Sequence, residues 1–302
     1  MVEGQEDVSW EQWVAIADAC EEHGIPTLFR SDHYLSVFGQ EGHASLDAWG
    51  TICGLAARTD KLKLGTMVSP ASFRHPSVLA KLVATADQIS GGRIEPALGT
   101  GWNEGEHKAY GLPFLSMKER MEVLTEQLEI VTGLWDDGEF EFHGEHYELT
   151  GVDALPKPVQ RPMPLIMGGN AGPKSAALAA KYAVEYNTPN PSKDDVRARR
   201  QAIVEAWIEA GRDPETVRFS IMTGAAVGRD EAEASDRLQK IKEKTGAGDD
   251  LNYEFKGSPD KVVEQLKAFR DLGVDRVLMQ LLLHEDVEQI EIIGKELAPA
   301  VA

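Results

Sequence analysis

In Arg30-Ser31-Asp32-His33 an imidazole stands beside a carboxylate, just after the short apolar run Thr27-Leu28-Phe29. A neighbouring carboxylate can hold a histidine in one tautomer and poise it near neutral pH, which proton transfer requires. The same residues also suit a helix cap at Asp32 with a histidine next to it. Thr66-Met67-Val68-Ser69-Pro70 puts small hydroxyls after a second apolar run, 62–68. They could bond the edge of a flat ligand or cap the turn before proline. Arg74 and His75 follow and could face an anionic group.

A third apolar run, 94–98, leads into Gly99-Thr100-Gly101, where the backbone can turn sharply and approach a partner closely. The residues 102–110 then gather acidic, polar and aromatic groups in one loop. Gly168-Gly169-Asn170-Ala171-Gly172-Pro173-Lys174-Ser175 joins a strand to a helix with three glycines and a proline at the helix start. Free N–H groups at such a helix start bind phosphate, and Lys174 adds charge; a tight barrel loop is the plainer alternative.

Other chemistries find little support. His143-Gly144-Glu145-His146 falls on a hairpin, where alternation sends its ends to opposite faces. Glu104, Glu106 and His107 match no metal-ligand spacing. No serine sits in a nucleophile elbow, and Gly99-Thr100-Gly101 lacks the third glycine of a dinucleotide fingerprint.

The elements that carry these residues alternate. Ser9 and Gln12 make a capping box for a helix that Gly24 stops, and residues 45–58 read as a second helix. His75-Pro76 opens a third, with Val78, Leu79, Leu82, Val83, Ala86 and Ile89 as its buried stripe and Gly91-Gly92 as its stop. Ser116 and Glu119 box a long helix, and 139–149 reads as a β-hairpin. Strands at 164–167, 185–188, 217–227 and 276–283 are separated by helices near 173–183, 192–210, 230–244 and from Ser258-Pro259 to Gly273, with a last helix at 287–297. Strand and helix in alternation mean parallel strands with helical crossovers. Seven strands are convincing. The eighth belongs before the first helix, where only Met1-Val2-Glu3-Gly4 stands, so it is expected to be truncated or missing, with two barrel edges left unpaired. A late-placed start is the expected reason, with Val2-Glu3-Gly4-Gln5 as the end of that strand. Pro96 inside a strand forfeits a ladder hydrogen bond.

A net charge of −19 on 302 residues argues against nucleic acid or anionic membrane as the main partner. No early apolar run is long enough for a signal peptide or membrane span, so a cytoplasmic protein is expected. Cys20 and Cys53, on apolar helix faces, read as free thiols.

Together the junctions resemble the bacterial luciferase-like flavin and deazaflavin oxidoreductases, from Trp10 to about Leu283. The marks are Ser31-Asp32-His33, Arg74-His75-Pro76, Gly91-Gly92-Arg93, Gly99-Thr100-Gly101-Trp102 with Glu106-His107 and Tyr110-Gly111, and Gly168-Gly169 with Tyr186-Asn187. The subgroup most similar uses the deazaflavin coenzyme F420 in place of FMN.

The resemblance implies one (β/α)8 TIM-barrel domain over residues 1–302, metal-free and possessing a non-proline cis peptide near Thr66-Met67 or Met67-Val68. It implies that Asp32 touches the cofactor ring and that His33 gives or takes the proton. Ser69, Thr100, Gly101 and Asn103 would line the cofactor; Gly168, Gly169, Asn170 and Gly172 would take its phosphate. Trp102 and Thr188 are assigned to the substrate pocket, and the loop 102–114, the hairpin and the segment 246–255 to its shape. Sugar-phosphate dehydrogenases of this group carry a catalytic glutamate where Trp102 stands, so sugar-phosphate oxidation is not expected. An indole takes no proton but can stack on a flat substrate. Glu104 and Glu106 are left as loop structure. A deazaflavin carries hydride without activating oxygen, so the expected activity is hydride transfer between F420 and a small organic substrate. The alternatives are an FMN-dependent monooxygenase and a cofactor-free, non-catalytic barrel. A homodimer is implied by resemblance alone.

Overall fold

A computed structural model describes residues 1–247 and 253–301. Ser9 starts α1 (Trp10–Glu22): its hydroxyl accepts from Gln12 N, and the Gln12 side chain accepts from Ser9 N. β1 (Thr27–Arg30) follows. Helix α2 (Ala48–Arg58) begins later than its sequence suggests, because Asp47 supplies the cap while the Ser45 hydroxyl donates to His33 O. The run 62–68 becomes β2 (Lys63–Thr66) and β3 (Ser69–Pro70), separated by a cis Met67-Val68 peptide. His75 caps α3 (Pro76–Ser90), and Gly91, with φ 68°, ends it. Its buried stripe is Leu79, Val83, Ala86 and Ser90; Val78 and Ile89 are 53% and 45% exposed, since they flank that stripe.

β4 (Ala97–Gly99) is shorter than the apolar run because Pro96 cannot donate to a ladder. The loop after Gly101 contains a helix the sequence reading lacked, α4 (Glu104–Tyr110), ahead of α5 (Met117–Trp135). The hairpin is β5 (Phe140–His143) with β6 (Glu148–Val152). Then come β7 (Ile166–Gly168), α6 (Pro173–Tyr182), β8 (Glu185–Pro189), α7 (Lys193–Glu209), β9 (Arg218–Val227) and α8 (Glu231–Thr245). β10 (Phe255–Gly257) is a short strand that the sequence did not reveal; residues 248–252, half of the segment 246–255, lie outside the described residues. α9 (Pro259–Arg270), β11 (Arg276–Gln280) and α10 (Val287–Ile292) complete the alternation, followed by a π-turn, Ile293–Leu297.

Parallel pairs join β1 to β2, β3 to β4, β4 to β7, β7 to β8, β8 to β9 and β9 to β11. Three bridges complete the circle: Leu64 pairs with Ile94, and Val2 pairs with both Arg30 and Leu281. The eighth barrel position is therefore held by two residues, Val2 bonding the β1 side and Met1 the β11 side, and the ring is a TIM barrel. The strand ends that carry Asp32, Ser69, Thr100 and Gly168 all open on one rim, where such barrels place their chemistry.

The opposite end carries an ionic layer. Arg276 donates to Glu95 at 2.6 Å and to both oxygens of Glu185, while Lys63 pairs with Glu95 and Arg218 with Glu185. Phe29, Met67, Ala97, Ile166 and Leu278 fill the barrel above it, and Trp13, Trp49 and Trp207 are enclosed elsewhere in the core. Glu95 and Glu185 are buried, and without their shared cation they keep only Lys63 and the more distant Arg218. Arg276→Ala is expected to lower the unfolding free energy by about 3–5 kcal/mol in urea titration; a loss under about 1 kcal/mol would mean water already reaches this layer.

Candidate active site

The geometry of the mouth begins with α4. The Asn103 side chain accepts from Glu106 N at 3.3 Å and starts the helix; Gly111, with φ 68°, stops it. One turn suffices to put Glu106 and His107 on the inner face. The buried Glu106 Oε2 then meets His33 Nδ1 at 2.8 Å, and Oε1 accepts from Leu35 N at 3.1 Å and from Tyr34 N. Glu106 is thus no mere loop residue: it fixes both the position and the tautomer of His33.

With Nδ1 held, His33 Nε2 has no protein partner among the described residues. Burial pulls the imidazole down, but the hydrogen bond and charge of Glu106, with Glu3 and Asp32 behind it, outweigh that, and the net shift is upward. For Glu106 the burial penalty is likewise overcome by His33 and the two loop N–H groups, which hold the carboxyl below its ordinary range. Trp102, 62% exposed, stands edge-on to His33 with ring centres 5.6 Å apart. An imidazole with one free nitrogen and an indole wall face the same opening.

Asp32 and Ser69 lie behind this surface. Asp32 is fully buried; Oδ2 accepts from Ser69 Oγ at 2.8 Å and Arg74 Nη1 at 2.6 Å, and Oδ1 from Arg74 Nη2 at 3.2 Å. Trp49 Nε1 donates to Ser69 Oγ at 3.0 Å. These side chains are occupied with one another and support the rim. Arg74 also donates to Asp47 at 2.6 Å, so its guanidinium is taken up by two carboxylates, while the exposed His75 uses Nδ1 to cap α3.

The floor is made of small residues around Val68. A Cβ on Gly99 or on Gly168 would each stand 2.7 Å from a Val68 methyl. Thr100, half-buried, ends the strand beside this floor, its hydroxyl 3.3 Å from Gly101 O. Gly101 turns with φ 76°, where a Cβ would meet Ser72 Oγ at 3.1 Å, and its carbonyl accepts from Arg120. Ser72 Oγ donates to His107 Nε2 at 2.6 Å, since His107 Nδ1 donates to Asn103 O. Asn103 is therefore a cap, with its side chain turned to the helix.

At the neighbouring rim Gly169 has φ 152° and Ala171 φ 53°, and the Tyr186 hydroxyl accepts from Ala171 N at 2.8 Å. Gly172 caps α6 without a side chain, so no side-chain oxygen competes for the first-turn N–H groups; Asn170 and Gly172 are exposed. Thr188 is not brought to the mouth. Alternation along β8 turns Glu185 inward to Arg276 and Thr188 outward, where its hydroxyl accepts from Arg199 of α7.

This arrangement was compared with known proteins. A family model described as luciferase-like monooxygenase matches residues 2–256. The chain belongs to that family. Within it, the FMNH(2)-dependent dimethylsulfone monooxygenase of Pseudomonas putida is 29% identical, over 82% of this chain and 76% of that one. The F420-dependent glucose-6-phosphate dehydrogenase of Nocardia farcinica is 27% identical, over 95% and 92%. Among solved structures, the coenzyme F420 dependent tetrahydromethanopterin reductase of Methanopyrus kandleri superposes with a TM-score of 0.83 at 21% identity, over 100% and 98%. The chain is an enzyme, a luciferase-like oxidoreductase, in a family whose named members use F420 or FMN. No helix among the described residues is long and apolar enough to cross a membrane.

A raised histidine keeps its charge, and its full attraction to Glu106, below the ordinary value of 6.5 and loses it as pH climbs through the raised value. Nitrogen-edge NMR should therefore find His33 titrating above 6.5 in the wild type, and lower in Glu106→Gln. An unchanged midpoint in the variant would separate Glu106 from the state of His33.

Proposed function

We propose that the enzyme transfers hydride between the deazaflavin coenzyme F420 and a small organic substrate, with His33 Nε2 giving or taking the accompanying proton. The observation that carries this reading is the His33–Glu106 pair, which leaves one ring nitrogen free beside Trp102. The residues present fit the coenzyme. Gly99 and Gly168 have no side chains where the Val68 methyls pack, so Val68 seats down on both strand ends and offers an apolar surface on which a flat ring can rest. The turn Gly168–Gly172 and the uncapped start of α6 suit its phosphate, with Lys174 exposed alongside. Thr100 and Gly101 border the ring by their place at the end of β4. When bound, the deazaflavin supplies a two-electron hydride and leaves dioxygen unreacted.

The protein's part is then acid–base and steric. Glu106 holds His33 as the tautomer whose Nε2 faces the substrate, and its charge steadies the imidazolium formed when that nitrogen takes a proton. Trp102 bounds the substrate and supports a flat or apolar molecule by stacking; it has no proton to give at the place where sugar-phosphate dehydrogenases hold an acid. Asp32, Ser69 and Arg74 keep the His33 turn from moving.

Titrating the purified enzyme with F420 and with FMN tests the cofactor. Micromolar affinity for F420 with weaker FMN binding is expected; micromolar FMN affinity without F420 binding would replace this reading with a flavin monooxygenase, the activity named for the dimethylsulfone relative. Binding of neither would favour a cofactor-free barrel. In the loaded enzyme His33→Ala should lower kcat by about 10²–10⁴-fold while cofactor affinity holds. An unchanged kcat would remove His33 from the proton path.

A further inference from the structure

The two sides of the barrel mouth differ in chemistry. Met1 packs with the interior cluster of Phe29 and Leu278, and Val2 with the outer core, so alternation points Glu3 inward, one layer above Met1. In that layer Gln280 stands above Leu278 and Gly224 above Met222, and the two are partners in the β9–β11 register. Gly224 leaves room for the Tyr253 ring, into which a Cβ at that position would run. On the other side Gly99 stands above Ala97 and Gly168 above Ile166, packed with Val68. One side is apolar; the other presents a carboxylate, an amide and a phenol.

Glu3 is buried, and both of its hydrogen-bond partners are neutral amides. Oε1 accepts from Gln280 Nε2 at 2.6 Å and Oε2 from Gln5 Nε2 at 2.9 Å. No ion pair reaches it among the described residues. Cations around the rim are committed elsewhere: Arg74 to Asp32 and Asp47, and Arg199 to Asp195. Arg30 donates to Thr51 and to two backbone carbonyls, so it acts on Glu3 only through space. A carboxylate out of water without a counter-ion is costly.

Its neighbours add acceptors. Because Gln280 gives Nε2 to Glu3, its amide oxygen is left free. The Tyr253 hydroxyl has no partner among the described residues; burial, and after it the Glu3 charge, push it up to about 12, so it stays a phenol. A carboxylate, an amide oxygen and a phenol oxygen suit a group that brings three N–H bonds and a positive charge, which is an ammonium. A phosphate or carboxylate would meet Glu3 with no cation between them, and a hydroxyl would leave its charge unmatched. The net charge of −19 also favours the approach of cations.

We propose that Glu3, Gln280 and Tyr253 form an ammonium subsite, and that the small organic substrate is a primary amine whose apolar part lies toward Trp102. The proposal rests on the reading of this mouth as a hydride-transfer site and names its substrate class. Glu3 determines specificity and stands apart from the proton path at His33.

Benzylamine, benzyl alcohol and benzoate share one ring and differ in charge. Each is titrated by calorimetry at neutral pH into the full-length protein, with and without F420. Benzylamine is expected to bind about tenfold or more tighter than benzyl alcohol, with benzoate weakest. Glu3→Gln should bring the amine and the alcohol within about twofold, while Glu104→Gln, at the exposed rim, should leave the preference intact. Tyr253→Phe, expected to weaken the amine preference, serves if Glu3→Gln does not fold. No benzylamine binding at millimolar concentration overturns the proposal, as does benzoate binding as tightly as the amine. So does a preference that survives Glu3→Gln, or one that Glu104→Gln reduces equally, which would be attraction to an acidic surface alone. An amine preference in a protein that binds no F420 supports the subsite and removes the coenzyme reading instead.

Discussion

Glu106 accepts from His33 Nδ1 and from the backbone N–H groups of Tyr34 and Leu35, three bonds to one buried carboxylate. Through them α4, which follows β4, is tied to the loop that follows β1. The loop after β1 is held as well by the buried Glu6, which accepts from Ser36 Oγ and Val37 N, and by Arg74 on Asp32. A carboxylate taken out of water must be matched by donors of good geometry, and here the match includes a histidine whose own burial pulls its pKa down. The mouth's shape and its proton chemistry thus depend on the same contact. The tautomer of His33, the exposure of its Nε2 and the placing of Trp102 beside it all follow from where Glu106 sits.

Behind this contact the barrel separates its tasks by end. The N-terminal ends of the strands carry Arg276, Glu95 and Glu185, a neutralising layer closed off from the mouth by Phe29, Met67, Ala97, Ile166 and Leu278. The C-terminal ends carry Gly99, Gly101, Gly168 and Gly169, the first and third packed against Val68 methyls and the other two in positive-φ turns. Asp32, Ser69 and Arg74 form a second network just below the rim, which Arg74 ties to the exposed Asp47. Their charges are matched to one another, which explains why residues with catalytic side chains act here as a frame.

Much of this was legible in the sequence because it rests on local rules. Ser9 with Gln12, His75-Pro76 with Gly91, and Ser116 with Glu119 mark helix ends through bonds within one turn, and the structure keeps them. Parallel alternation gave the barrel and its strand ends, while the family, and with it the cis peptide at Met67-Val68, came from the resemblance carried by the motifs at those ends. What escaped is non-local. His33 and Glu106 are 73 residues apart, and nothing near Glu106 names its partner. A signal did exist for its helix: Asn103 and Glu106 have the spacing of a cap and its third residue. The place of Thr188 was also readable, since an inward Glu185 on a strand puts Thr188 on the outer face. Asp32, Ser69 and Asn103 were recognised as important, but their side-chain directions depend on Arg74, Trp49 and α4, which no spacing rule supplies.

A double-mutant cycle on His33→Ala and Glu106→Gln, read as kcat/KM with bound cofactor, tests the dependence of the site on this contact most directly. Thermal unfolding of each variant confirms that it is folded. If Glu106 acts through His33, the loss caused by Glu106→Gln in the wild type disappears in the His33→Ala background. If the two losses instead multiply, Glu106 serves the reaction by a separate route, and the pairing of these residues is not what makes the site work.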